Sequence, residues 1–290
     1  MASQLGNPIT ASEQLFETYL IANGYTDWTH EHRTLGKPTT PDYRIRFGDA
    51  DLYFEVKEFE GDCLVQEPTR AGEGRGYDPH RPLREKVNQA ARQFKRYKEF
   101  PCALVLSDPN ATCVDIDTPE IAIGTMLGNI GFVIPFAESA DPDAAPTQVF
   151  VSGGKMVNYK HGTAQNTTIS SVISLMPYPL RRKRMQIALD KRAREAGRKL
   201  TYEESWAAAK TVPTTDEDAV LRVVVYENPY ARIPLSRDLF RGAFDERWGA
   251  EGGLIRRVFV GDRLAALETE LARCDRRSPV QRLMDRQRKE

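Results

Sequence analysis

The 290-residue chain predicts an α/β fold. Two observations carry this. The first hundred or so residues run helix, strand, strand, helix, strand, read from hydrophobic patterns that switch between a period of 3.6 and a period of 2. Shorter apolar runs then continue the alternation, with a helix near 118–128 and strands near 131–136, 147–151, 169–175 and 221–226. A helical insertion over roughly 180–210 separates the last two strands.

The first helix opens on a capping box, Thr10 with Glu13, and carries Leu15, Phe16, Tyr19 and Leu20 at helical spacing before Gly24 ends it. Tyr43, Ile45 and Phe47 alternate with Asp42, Arg44 and Arg46, the pattern of a half-buried strand. "GDAD" at 48–51 is a turn, and Leu52, Phe54 and Val56 alternate with Tyr53, Glu55 and Lys57 on the way back. A long stretch rich in Gly, Pro and charge follows, up to Pro82, and reads as a loop. Residues 83–100 read as a helix with Leu83, Val87, Ala90, Ala91 and Phe94 inward and Tyr97 a further candidate for that face, and "CALVLS" at 102–107 as a buried strand. The insertion has its own capping box, Thr201 with Glu204. A tail helix over 262–275 carries Leu264, Leu267 and Leu271, and could serve as an interface or pack on the core.

Composition excludes some classes. Lys plus Arg equal Asp plus Glu at 41 each, so no global charge draws the chain to nucleic acid, and any attraction must be local. No apolar run is long enough for a membrane span, and the first residues lack the pattern of a signal peptide. Cys63, Cys102, Cys113 and Cys274 are scattered, which fits reduced thiols in a cytoplasmic protein. The histidines do not sit at zinc-ligand spacings with them, and His30 and His32 read as a solvated loop or edge.

The charged hairpin stands out. Glu55 and Lys57 share one strand face. With a turn centred near Asp49 and Ala50, Asp42 falls opposite Lys57 or its neighbour, and can meet Glu55. Two converging carboxylates repel unless a cation sits between them, and hard oxygen ligands select Mg²⁺ or Mn²⁺. A lysine beside them can orient or help deprotonate an attacking water, or stabilise a pentavalent phosphate, so the pattern suits phosphodiester hydrolysis. Lys57 is the only lysine in the chain with an acidic residue two positions before it.

Pro41-Asp42 followed by Glu55-Val56-Lys57 resembles the PD-(D/E)xK motif of restriction-endonuclease-like nucleases. The resemblance covers roughly residues 10–107. It implies a restriction-endonuclease-like core, a mixed central sheet flanked by helices on both faces, with a helical insertion. In such nucleases a Glu on the preceding helix completes the metal site. Glu13 and Glu17 are both available, and because Glu13 is used by the capping box, Glu17 is taken as the third ligand beside Asp42 and Glu55. Gln93 and Tyr97, with Gln89 one turn earlier, resemble the residues that face the scissile strand in the nuclease domain of bacterial recombination helicase-nucleases. The implied domains are a core over 1–179, a basic insertion over 180–212, and a last core strand with a C-terminal helical region over 213–290.

Residues 181–199 hold nine Lys or Arg against two acidic residues. Arg181, Arg182, Lys183 and Arg184 are therefore read as contacts to a nucleic-acid backbone. Arg75, in the Gly/Arg-rich loop, is read as closing over substrate. The resemblance implies an Mg²⁺- or Mn²⁺-dependent nuclease acting on DNA in preference to RNA, and a possible homodimer. The alternatives are a catalytically silent relative that binds nucleic acid or a protein, an RNase or toxin effector, and a structural protein with solvated hairpin charges. No chemistry follows from "YENPYARIPLSRDLF" at 226–240.

Overall fold

The computed structural model describes residues 9–30, 40–59, 78–109, 115–133, 147–151, 153–158, 160–212, 219–251, 254–262 and 265–266. The chain divides into two units, one from residues 1–176 with 222–260, the other from 177–221 with 261–290.

The first unit starts with α1 (Ala11–Ala22), β1 (Trp28–His30), β2 (Tyr43–Phe47) and β3 (Ala50–Glu58). Next come α2 (Arg81–Gln93), tightened into a 3₁₀ turn at Phe94–Arg96, then β4 (Cys102–Ser107) and α3 (Pro119–Leu127). The short strands β5 (Ile130–Val133), β6 (Thr147–Phe150), β7 (Val157–Asn158) and β8 (Thr163–Ala164) follow, and β9 spans Ile169–Pro179. After the second unit's α4 (Leu180–Ala196) and α5 (Tyr202–Lys210), the chain returns with β10 (Ala219–Glu227), β11 (Glu246–Glu251) and β12 (Leu254–Val260).

Eight strands form one sheet in the order β1-β2-β3-β4-β9-β10-β11-β12. It is mixed. The β1–β2 and β2–β3 pairs are antiparallel, β3–β4 and β4–β9 parallel, β10–β11 parallel and β11–β12 antiparallel. The strands expected near 131–136 and 147–151 do not extend this sheet. They pair with each other as a separate two-stranded ladder, β5 with β6.

Helices flank the sheet, and the alternation of β3 decides which residues they cover. Phe54 faces α1, whose Phe16 ring lies 5.2 Å from Tyr43 and 5.7 Å from Phe54. Phe16, Tyr19 and Leu20 are fully buried, and burying a side chain of this size contributes about 1.5–3 kcal/mol. On the other face Tyr53 joins Leu83, Val87 and Ala90 of α2, Phe94 of the 3₁₀ turn, and Ile123 and Met126 of α3. Every residue of β4 is buried, as a parallel strand covered on both faces requires.

The stretch 226–240 has a structural role. Asn228 donates to the Ile169 carbonyl at 2.7 Å and accepts from Tyr230 N–H at 3.0 Å. Arg247 is buried, donating to the carbonyls of Ser236 and Leu239 and pairing with Glu227. Phe240 holds φ at 59°, a left-handed conformation rare for a bulky residue, and packs on Tyr19, Tyr25 and Phe54. The Tyr25 hydroxyl accepts its N–H at 2.8 Å, which helps hold that backbone in place.

In the second unit, α4 packs on α5. Thr201 and Glu204 form the expected capping box, and Glu204 also takes a two-pronged contact from Arg198. Leu264, Leu267 and Leu271 of the expected tail helix lie outside the described residues. Among the described residues no helix is long and apolar enough to cross a membrane. Cys102 is buried, and its thiol donates to the Tyr97 carbonyl at 3.6 Å.

Candidate active site

The β2–β3 hairpin sets the site. Its turn lies at Gly48 and Asp49, with Phe47 opposite Ala50 and Tyr43 opposite Phe54. Gly48 has φ 59°, the conformation for which glycine is suited in a tight hairpin. The register differs slightly from the sequence expectation. One step beyond the Tyr43–Phe54 pair, Asp42 lies alongside Glu55 and not opposite Lys57. Its Oδ2 accepts the Val56 N–H at 2.8 Å.

Glu55 is fully buried, and its carboxylate contacts the Lys57 ammonium. The two share the face that α2 covers, and Gln93, the last residue of α2, lies near enough to the Glu55 carboxyl to favour its ionised form. Lys57 keeps a quarter of its side chain exposed, so the cluster opens to solvent on that side. Asp42, Glu55, Lys57 and Gln93 are thus brought together.

The acidic residue of α1 that joins them is Glu13, not Glu17. Glu17 accepts the Tyr43 hydroxyl at 3.0 Å. Glu13 keeps its capping role through Oε2, which accepts Thr10 N–H, while its other oxygen lies 3.5 Å from His30 Nε2. Its charge acts on both Asp42 and Lys57. Capping and participation are compatible because a carboxylate has two oxygens. His30, expected in a loop or edge, is on the edge strand β1 and is only partly exposed, with its ring on Tyr43. No spacing in the sequence links His30 to the motif. It arrives because β1 pairs with β2, His30 opposite Tyr43.

The electrostatics follow from crowding. Burial, then the neighbouring Asp42, pushes the Glu55 carboxyl up to about 7, with Lys57 and Gln93 opposing. Burial also raises the Asp42 carboxyl, against the Val56 N–H and Lys57. Burial alone would lower the Lys57 ammonium, but Glu55, Asp42 and Glu13 outweigh it and raise it. Lys57 is therefore held as a cation, which suits it to a phosphate and not to taking a proton.

Other sequence-derived positions fall elsewhere. Gln89 is exposed on α2. Tyr97 is fully buried, its ring 4.6 Å from that of Tyr53, so it does not face a substrate strand. The 3₁₀ turn after Gln93 breaks the helical spacing that would have kept residues 93 and 97 on one face. Arg184 is 2% exposed, which removes it from the set of surface phosphate contacts. Arg181, Arg182 and Lys183 are on α4, and their side chains lie outside what is described, as does Arg75.

Among the described residues no three His, Cys, Asp or Glu side chains are already gathered as a metal cage. The donors present still suit Mg²⁺ or Mn²⁺, since Mg²⁺ takes one or two protein carboxylates and fills its shell with water and substrate oxygens. Asp42 and Glu55 supply that pair, and their mutual repulsion is what a dication would relieve.

A separate cavity of about 910 Å³ lies beside β11 and β12 and contains none of these residues. Its walls include Arg237 and Arg256, already paired with Glu227 and Glu251. No protein-family model, curated protein or solved structure matches the chain.

Proposed function

We propose that the hairpin carries a divalent-metal-dependent phosphodiesterase centre and that the protein is a nuclease with a restriction-endonuclease-like core. The observation that carries this is the placement of Asp42 alongside Glu55, with Lys57 on the same face. The order of α1, the β2–β3 hairpin, α2 and the parallel strand β4 supports the core assignment. The PD-(D/E)xK resemblance favours DNA over RNA as the substrate.

Asp42 and Glu55 would hold Mg²⁺ or Mn²⁺. When bound, such an ion polarises the phosphate and lowers the pKa of its water. Gln93 favours the ionised form of Glu55, the form a metal ligand needs. The Val56 N–H does the same for Asp42. Lys57, held as an ammonium, stabilises the charge that builds on the phosphate oxygens as water adds. Glu13 adds a carboxylate to the same neighbourhood, able to accept a hydrogen bond from the attacking water.

The test is cleavage of plasmid, linear duplex, single-stranded DNA and RNA by wild type and Lys57→Ala, in EDTA, Mg²⁺ and Mn²⁺. Metal-dependent cleavage that Lys57→Ala loses is the expected result. No cleavage of any substrate by wild type would overturn it and favour a silent, binding-only relative, in which the Lys57–Glu55 contact stands in place of the metal.

A further inference from the structure

The second unit displays an unusual helix. α5 reads "YEESWAAAK" and buries none of its residues. Tyr202 and Trp206 are four apart, so they stand one above the other on a single face. They are 78% and 56% exposed. Lys210, four residues further on, places its ammonium 5.5 Å from the centre of the Trp206 ring. The face is thus a ladder of two aromatic planes and a cation.

The neighbouring helix supplies charge. α4 carries seven Lys or Arg against two acidic residues. Lys191 and Arg194 on it are exposed, as is Lys199 in the connection. Part of the charge is spent internally, Arg192 on Glu195 and Arg198 on Glu204. Lys191, Arg194 and Lys199 are left as exposed cations, on a chain whose formal net charge is zero.

A ladder of aromatic planes beside exposed cations matches one ligand chemistry. Single-stranded nucleic acid offers unpaired bases for stacking and phosphates for the cations. A duplex hides its base faces inside the stack. A protein partner would want an apolar surround for its aromatic anchors, and α5 has no Leu, Ile, Val, Met or Phe.

We propose that α4 and α5 form a binding surface for single-stranded nucleic acid, with Tyr202 and Trp206 stacking on unpaired bases and Lys191, Arg194, Lys199 and Lys210 on the phosphates. The inference rests on the reading that the substrate is a nucleic acid, and specifies the form engaged: a tail, gap or displaced strand.

The experiment is a binding titration of the full chain in EDTA, where cleavage does not intervene. Labelled oligothymidylate, an abasic strand of equal length and a duplex of equal length are the probes, read by anisotropy and by tryptophan emission. Wild type should bind oligothymidylate most tightly, with its emission quenched. Trp206→Ala should weaken that binding about tenfold, the Tyr202→Ala/Trp206→Ala pair further, and Trp206→Phe should restore most of it. Duplex and abasic-strand affinity should change less than twofold. Both positions are exposed, so folding should be unaffected, checked by circular dichroism. Unchanged oligothymidylate affinity in the double variant overturns the proposal, and so does failure of wild type to bind any strand. Quenching in a protein that cleaves nothing would sink the nuclease reading alone and leave this one standing.

Discussion

The Asp42 side chain accepts a hydrogen bond from the backbone N–H of Val56 at 2.8 Å. That bond ties the residue just before β2 to the middle of β3, and so fixes one carboxylate beside the other. Asp42→Ala removes the acceptor and one of the proposed metal ligands together. Mg²⁺ or Mn²⁺ should raise the thermal midpoint of wild type, by the linkage of about 1.4–2.7 kcal/mol expected at ten to a hundred times Kd. Asp42→Ala should abolish the rise, read by differential scanning fluorimetry. An equal rise in both proteins would remove Asp42 from the metal site.

Glu55 predicts a pH dependence of stability. Its carboxyl is pushed up from 4.5 to about 7, so the native state holds a proton that the unfolded chain gives up. The native state then binds more protons than the unfolded state between those values, and stability falls as pH rises through that window. The loss is on the order of 3 kcal/mol at most. Urea unfolding of metal-free protein at pH 5 and pH 8 should show the decline. Glu55→Gln should flatten it, and Mg²⁺ should reverse it at pH 8. A wild-type stability that is level or rises over this range contradicts the burial argument.

Glu13 and Glu17 make a paired prediction. Glu13→Gln keeps an oxygen for the cap but removes the charge that acts on Asp42 and Lys57. It should lower kcat at least tenfold while leaving the folded state intact. Glu17→Gln should leave kcat within about threefold and cost about 1 kcal/mol of stability through the Tyr43 hydroxyl bond. Matched kinetics and denaturation of the two variants check this. The reverse pattern would restore Glu17 as the site residue.

Gln93 should show itself in the pH–rate profile. Its side chain favours ionised Glu55, so Gln93→Ala should move the acidic limb of the cleavage profile to higher pH. A drop in rate with no movement of the limb would mean that Gln93 works through the substrate and not through Glu55.

Asp245 tests the scaffold. It accepts from the Tyr19 hydroxyl at 2.5 Å, Val223 N–H at 2.9 Å and Gly242 N–H at 2.7 Å while almost fully buried. Asp245→Ala strands three donors and should cost about 2–4 kcal/mol in urea unfolding. Tyr19→Phe, which strands only the carboxylate's third contact, should cost less.

Much of the first hundred residues was legible. The Thr10–Glu13 cap, the period-2 hairpin and the apolar β4 each follow a local rule, and each formed. What escaped depended on contacts between distant residues. β11 reads "ERWGAE", too charged and too short of apolar residues to signal a strand. Its Glu246 and Arg247 are buried because Arg222 and Glu227 answer them from β10. β1 was missed because it is only three residues long. The choice of Glu17 assumed that a capping residue is used up. Tyr97 was a candidate both for the inner face of the helix and, by resemblance, for the substrate side, and the 3₁₀ turn after Gln93 places it in the core.

The ends of the second unit's first segment meet within the first unit. Arg222 Nη2 lies 3.6 Å from Met176 Sδ, on neighbouring strands β10 and β9. Everything between them is therefore an inserted cassette, entered and left at one doorway in the sheet. Because closing a loop costs only about 0.6 kcal/mol more for each doubling of its length, such a doorway tolerates long or short inserts almost equally. The segment between β9 and β10 can thus lengthen or shorten while the sheet that carries the hairpin keeps its strand order.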